Sequence, residues 1–164
     1  MSVLTLVAVL AAVGSAVAGG VYAGFSLRVM PRLAALPDAQ GIAAMQQLNR
    51  NAVRAPFMTV FFGSALAAGY VVVRVLAGGG RGLPALLLVA GAVLYLAGFV
   101  LTVAHHVPLN DRLAAASPQS PAGVATWRDY LARWTPANSV RAVSSLAGAL
   151  ALAVGVALEV AGGR

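Results

Sequence analysis

The chain has 164 residues, is 60% hydrophobic and has a mean hydropathy of +0.88. Only 9% of its residues are charged, 11 basic against 4 acidic, where a soluble domain carries about 25%. So few charges cannot cover a water-soluble globule, and they also exclude disorder, which needs a polar, charge-rich chain.

In chain order, four apolar segments are each close to the length of about 20 residues that a spanning helix needs. The first covers about 3–27 without a charge. Ala16-Val17-Ala18 within it would suit a signal peptidase. However, no Lys or Arg precedes the segment, and it is longer than a signal core, so it reads as a span. A link follows with Pro31 and Pro37, then a stretch over about 38–53 where Ile42, Met45, Leu48 and Ala52 recur at helical spacing. That stretch is expected to be a short amphipathic helix. The second span covers about 56–73, and the turn Gly78-Gly79-Gly80 leads to the third, about 84–106, which ends at His105 and His106. A second long link carries Pro108, Pro118 and Pro121 and an amphipathic segment over about 124–134. Thr135-Pro136 then looks like an N-cap followed by Pro at the first helical position, opening the fourth span over about 136–158.

In lipid the backbone must satisfy its own hydrogen bonds, so the expected fold is all-α. It is an integral membrane four-helix bundle in one domain, 1–164, with short amphipathic helices in two long links on the same side. Gly20 with Gly24, Ser15 with Gly19, Gly63 with Ala67 and Ala65 with Gly69 have the spacing that lets spanning helices approach closely.

All basic residues are Arg, and they are scattered between apolar runs. The net charge of +7 therefore reads as membrane flanks rather than a nucleic-acid surface. Arg28, Arg32, Arg50, Arg54, Arg112, Arg128, Arg133 and Arg141 fall on the long-link side, against Arg74, Arg81 and Arg164 opposite. The positive-inside rule puts the long links in the cytoplasm. The absence of Cys removes disulfides, thiol relays and Cys-ligated metals. No nucleophile elbow, P-loop or dinucleotide fingerprint occurs.

Polar and aromatic residues gather on the long-link side. Trp127, Tyr130, Trp134, Asn138 and Arg141 share one helix face if the helix continues through Pro136. They form either an aromatic wall leading to an amide and a guanidinium, or an interfacial belt with a snorkelling Arg. Asn49, Arg54 and Phe57 stand at the mouth of the second span. His105 or His106 is a candidate base or metal ligand. A metal needs Asp111, Asp129 or an Asn besides; a haem needs Met30, Met45 or Met58 as second axial ligand.

Four blocks occur in order: Phe25-x4-Met30-Pro31-x-Leu33; Ala43-Ala44-Met45-Gln46-x2-Asn49; Val107-Pro108-Leu109-Asn110-Asp111-x-Leu113; and Trp127-x2-Tyr130-x3-Trp134-Thr135-x2-Asn138-x2-Arg141. In these the chain resembles the DUF1772, or anthrone oxygenase-like, family of membrane proteins, from about residue 20 to 150. The resemblance implies a small four-helix membrane protein. Some fungal members are associated with oxygenating anthrones to anthraquinones, while most bacterial members have no assigned role. The chain departs from the family pattern in carrying His106 before Val-Pro-Leu-Asn in place of Asn, and Ala137-Asn138-Ser139 in place of Trp-Asn-His. The expected location is a bacterial plasma membrane.

Three readings follow. The first is oxygenation of a polycyclic phenol without a cofactor. His105 or His106 is the base, Arg141 with Asn138 or Asn110 stabilises the oxyanion, and Trp127, Tyr130 and Trp134 stack on the rings, with Asn49, Arg54 and Phe57 also contacting substrate. The second is a non-catalytic binder of a hydrophobic ligand or a subunit of a complex. The third is an oxidase with a metal or haem on His105 or His106. The expected partners are the bilayer, a hydrophobic aromatic small molecule and further copies of the chain.

Overall fold

The computed structural model describes residues 2–52 and 54–162. Val53, the expected end of the first amphipathic segment, and Arg164, one of the arginines on the opposite side, lie outside the described residues. The helices are α1 (Val3–Gly24), α2 (Met30–Ala34), α3 (Asp38–Ala52), α4 (Ala55–Ala77), α5 (Gly82–Leu101), α6 (Val107–Ala114) and α7 (Pro121–Gly162). Four helical stretches are long and apolar enough to cross a membrane, as the four apolar segments predict. The protein is an all-α integral membrane bundle.

Two of the spans run on past their expected ends. A π turn, Phe25–Val29, joins α1 to α2, and a second, Thr102–His106, joins α5 to α6. Each immediately precedes an X-Pro pair, Met30-Pro31 and Val107-Pro108. Pro supplies no N–H and crowds the carbonyl four residues back. A widened turn accommodates both without breaking the helix, and the Met30 and Val107 N–H groups bond five residues back to Phe25 and Thr102.

The fourth span differs more. The amphipathic segment over 124–134 is not a separate helix in the link, because Pro136 lies inside the 42-residue α7. The capping signature expected at Thr135-Pro136 is used fifteen residues earlier instead. There the Ser120 hydroxyl accepts from the Gly123 N–H at 2.9 Å, with Pro121 at the first helical position. Pro136 forfeits one backbone bond, but Trp127, Tyr130 and Trp134 before it and Asn138 and Arg141 after it are all buried on one face. Continuing the helix is what buries that whole face.

In the membrane part, α1 packs on α4 and α7, and α5 packs on α4 and α7, so the four make a closed ring. Of the expected glycines only Gly19 sits at a helix contact, where a Cβ would be 3.1 Å from the Leu146 backbone nitrogen. A Cβ on Gly20, Gly24, Gly63 or Gly69 would meet nothing within 4 Å. By contrast, a Cβ on Gly91 would stand 2.7 Å from the Gly148 carbonyl oxygen, and one on Gly148 the same distance from that of Gly91. Spacing alone does not say which face of a helix meets its neighbour.

Beyond the membrane part, α4 has no continuation and α3 takes its place. A second core joins Met30, Leu33, Ile42, Met45, Leu109, Leu113, Trp127, Tyr130 and Trp134, contributed by α2, α3, α6 and the start of α7. Gly41 lets α3 sit on Trp127, since a Cβ there would be 3.0 Å from the indole and 2.9 Å from the Leu33 carbonyl oxygen. Gln46 donates to the Leu113 and Ala116 carbonyls at 2.8 and 2.9 Å, capping α6. The exposed Arg128–Asp38 pair at 3.6 Å adds little.

Candidate functional site

A cavity of about 380 Å³ lies where α4 gives way to α3, within the size range of about 300–1,000 Å³ for small-molecule pockets. Its wall is mostly apolar and aromatic. It draws Tyr22 and Phe25 from α1 and the first π turn, Phe57 and Met58 from α4, and Asn49 from α3. His106, Asn110, Trp134, Asn138 and Arg141 complete its polar side.

Arg141 is 5% exposed, so it does not snorkel. Its guanidinium donates to Thr102 Oγ1 at 2.9 Å and to Asn138 Oδ1 at 2.6 Å, and lies 4.2 Å from the Tyr22 ring centroid. Its Nε is buried without a hydrogen-bond partner. Among the described residues the ion pairs are Arg128–Asp38 and Arg133–Asp129, so no carboxylate balances Arg141. A buried cation without an anion is costly, and it makes the cavity an anion-seeking site.

Asn138 holds that cation in place. Its Nδ2 donates at 2.7 Å to both the Tyr22 carbonyl and Ser26 Oγ, while its Oδ1 accepts from Arg141. Every polar atom of the amide is thereby used, so Asn138 ties α1 to α7 and orients Arg141. It has no free donor for a substrate oxyanion.

The second π turn separates the two histidines. His106 is buried and on the cavity wall, with its ring 5.3 Å from that of Trp134. Its Nδ1 bonds the Leu101 carbonyl at 3.2 Å. A carbonyl only accepts, so Nδ1 carries the proton and Nε2 keeps its lone pair. That Nε2 is buried and makes no hydrogen bond of good geometry, though the Trp134 backbone lies near the ring. His105 is half-buried, 5.4 Å from the His106 ring and off the cavity wall.

The α7 aromatics face inward, so they are not an interfacial belt. Trp127, Tyr130 and Trp134 stack in sequence with centroids 5.7 and 5.9 Å apart, but only Trp134 reaches the cavity. Tyr130 Oη and Trp134 Nε1 both donate to Asn110 Oδ1, at 2.8 and 3.1 Å. This fixes the Asn110 amide with its NH2 free for other partners. Asn49 Nδ2 is buried on the same wall, near the Tyr130 hydroxyl. Arg54 is exposed and stands off the wall, against expectation.

A family model described as anthrone oxygenase matches residues 51–151, more than half of the chain. The chain belongs to the anthrone oxygenase family. No curated protein and no solved structure is significantly similar to it. The match contains the anthrone oxygenase-like chain's Phe57, His106, Asn110, Trp134, Asn138 and Arg141, while Tyr22 and Asn49 come from outside it. The two departures from the family pattern differ in their consequence. Ser139 is off the wall, donating to Ser26 Oγ and the Thr135 carbonyl; His106 is on it. Among the described residues no three His, Asp or Glu side chains gather to hold a metal. Of the candidate haem ligands, Met30 and Met45 are buried in the second core and Met58 lines the cavity.

Sequence reasoning missed Tyr22, Ser26 and Thr102. Their signal was available: Tyr22 and Ser26 are four apart in an apolar span, and Thr102 lies one turn before His106. Each stands about 20 residues from the far end of its helix, level with Arg141 counted back along α7.

Proposed function

We propose that this membrane anthrone oxygenase-like protein oxidises the methylene of a hydroxylated anthrone to a ketone, using dioxygen and no cofactor. The observation that supports this most is the pairing of an unbalanced Arg141 cation and a free His106 Nε2 around one aromatic cavity, both against the Trp134 ring.

The methylene C–H of an anthrone is acidic because its loss yields an aromatic alkoxide on the opposite side of the central ring. His106 Nε2 takes that proton. Arg141 and the Asn110 NH2 stabilise the alkoxide, and Trp134, Tyr22 and Phe57 enclose the rings. The carbanion passes one electron to dioxygen; the radical and superoxide combine, forming the C–O bond of a peroxide. The proton on His106 returns to the peroxide. Loss of the remaining C–H proton with cleavage of O–O then releases water, so anthrone plus O2 gives anthraquinone plus H2O.

The test is oxygen consumption and quinone absorbance with purified protein in lipid nanodiscs and a hydroxyanthrone. One O2 is expected per quinone, without added metal or reductant. His106→Gln is expected to lower the rate about 10²–10⁴-fold. Wild-type protein that turns over no faster than the uncatalysed background sinks the reading.

A further inference from the structure

Depth and wall structure together point to how a ligand reaches this cavity. Tyr22, Phe57, Thr102 and Arg141 each lie about 20 residues from the far ends of their helices, at Val3, Ala77, Gly82 and Gly162. At about 1.5 Å per residue this is about 30 Å, the thickness of the hydrocarbon core. All four helices agree, so the cavity sits at one edge of that core, where acyl chains meet headgroups.

At this level the ring of helices is interrupted. The first, third and fourth spans continue as helices of 32, 33 and 42 residues, whereas the second has 22. Among the described residues, helix α4 packs on α1 and α5 but makes no substantial contact with either π turn, nor with α3 above it. Three of the described wall residues are open to the outside: Val21 at 37% and Val107 at 44% exposure, both apolar, and Asn51 near the end of α3, which is polar. Water-facing rims at a polar active site are ordinarily polar. The Val21 and Val107 part of this rim matches the acyl chains beside it, with Asn51 on the α3 side away from them.

We infer that the cavity opens sideways into the bilayer at the start of α4, and that its aromatic ligand arrives from the membrane rather than from water. The inference rests on the proposed substrate class only for the identity of the ligand; the opening itself rests on the helix lengths and the rim. A flat phenol dissolved at this depth lies with its rings among acyl chains and its oxygens toward the headgroups. Lateral motion carries it between Val21 and Val107, with Met58 beneath, to Trp134 and Arg141.

The chain contains no Cys, so single-cysteine labelling is unambiguous. Val21→Cys and Val107→Cys are prepared in lipid nanodiscs, with Arg128→Cys as an aqueous reference, because Arg128 is 74% exposed on the α7 segment outside the membrane. Each is treated with pyrene maleimide, which dissolves in the bilayer, and with a sulfonated maleimide, which does not. Relative to Arg128→Cys, the two rim positions are expected to favour the pyrene reagent at least about tenfold, since a sulfonate enters hydrocarbon poorly. Equal or faster labelling by the sulfonated reagent overturns the inference. Binding of a hydroxyanthraquinone, which needs no turnover, is followed by its own fluorescence. Val21→Phe with Val107→Phe narrows the rim and is expected to slow association about tenfold. Unchanged association overturns lateral access. Failure of the quinone to bind the wild type counts against the proposed substrate class, while the labelling result still decides the opening.

Discussion

Replacing Arg141 by Met separates a functional charge from a structural one. The guanidinium makes two charge-assisted hydrogen bonds, to Thr102 Oγ1 and Asn138 Oδ1, each contributing about 1.5–3 kcal/mol. Its contact with the Tyr22 ring contributes about 2 kcal/mol. Against these stands the desolvation of a buried cation with no carboxylate, a cost of several kcal/mol. Of the partners left behind, Asn138 Oδ1 loses its donor in a buried setting, a cost of about 1–3 kcal/mol, while the others lose little. Thr102 still donates to the Gly98 carbonyl at 2.9 Å, and Asn138 keeps both bonds of its Nδ2. Met fills much of the volume without a charge, so the net change in stability is expected within about 2 kcal/mol of zero, a midpoint shift of no more than about 8 °C. The turnover rate is expected to fall about 10²–10³-fold, the cost of one donor aimed at a developing oxyanion. The assays are thermal unfolding in nanodiscs and oxygen uptake with a hydroxyanthrone, on the same preparation. If Arg141→Met loses more than about 3 kcal/mol while its folded fraction turns over at the wild-type rate, Arg141 is a strut and the reasoning fails.

Asn138→Ala leaves the Tyr22 carbonyl, Ser26 Oγ and one Arg141 N–H short of a partner in a fully buried setting. It is expected to destabilise by about 2–4 kcal/mol, read as a lowered thermal midpoint together with reduced turnover; an unchanged midpoint would show that the clamp is dispensable. His105→Gln, off the cavity wall, is expected to keep its rate within about threefold, against the loss of about 10²–10⁴-fold for His106→Gln; the same oxygen-uptake assay compares them, and equal losses would return the choice of base to open. Gly91→Leu drives a side chain into the Gly148 backbone, where even a Cβ would be 2.7 Å from the carbonyl oxygen. It is expected to cost about 1–3 kcal/mol or more, while Gly20→Leu, with open space around it, is expected to be silent in the same unfolding measurement.

Hydropathy along the chain determined a good deal by itself. Membrane location, four spans and α3 were legible because each depends on local composition and period, and a spanning segment must be apolar wherever it packs. The α7 stripe was legible too, as a set of residues sharing one face, though not as a continuous helix. Pro136 after Thr135 carries the same local signature as Pro121 after Ser120. Only burial of the aromatics on both sides of Pro136 decided which of the two starts the helix. The histidines show the same limit more sharply. His105 and His106 are neighbours with identical chemistry, and a π turn imposed by Pro108 points one of them into the cavity and the other away. Asn138 looked like a donor for substrate until the carbonyl of Tyr22 and the hydroxyl of Ser26, more than a hundred residues away in sequence, took both of its hydrogens. Tertiary structure alone placed α3 in the position that α4 vacates, and with it a cavity at the edge of the hydrocarbon core. Such a joint is made by where helices end relative to one another, which no segment carries within itself.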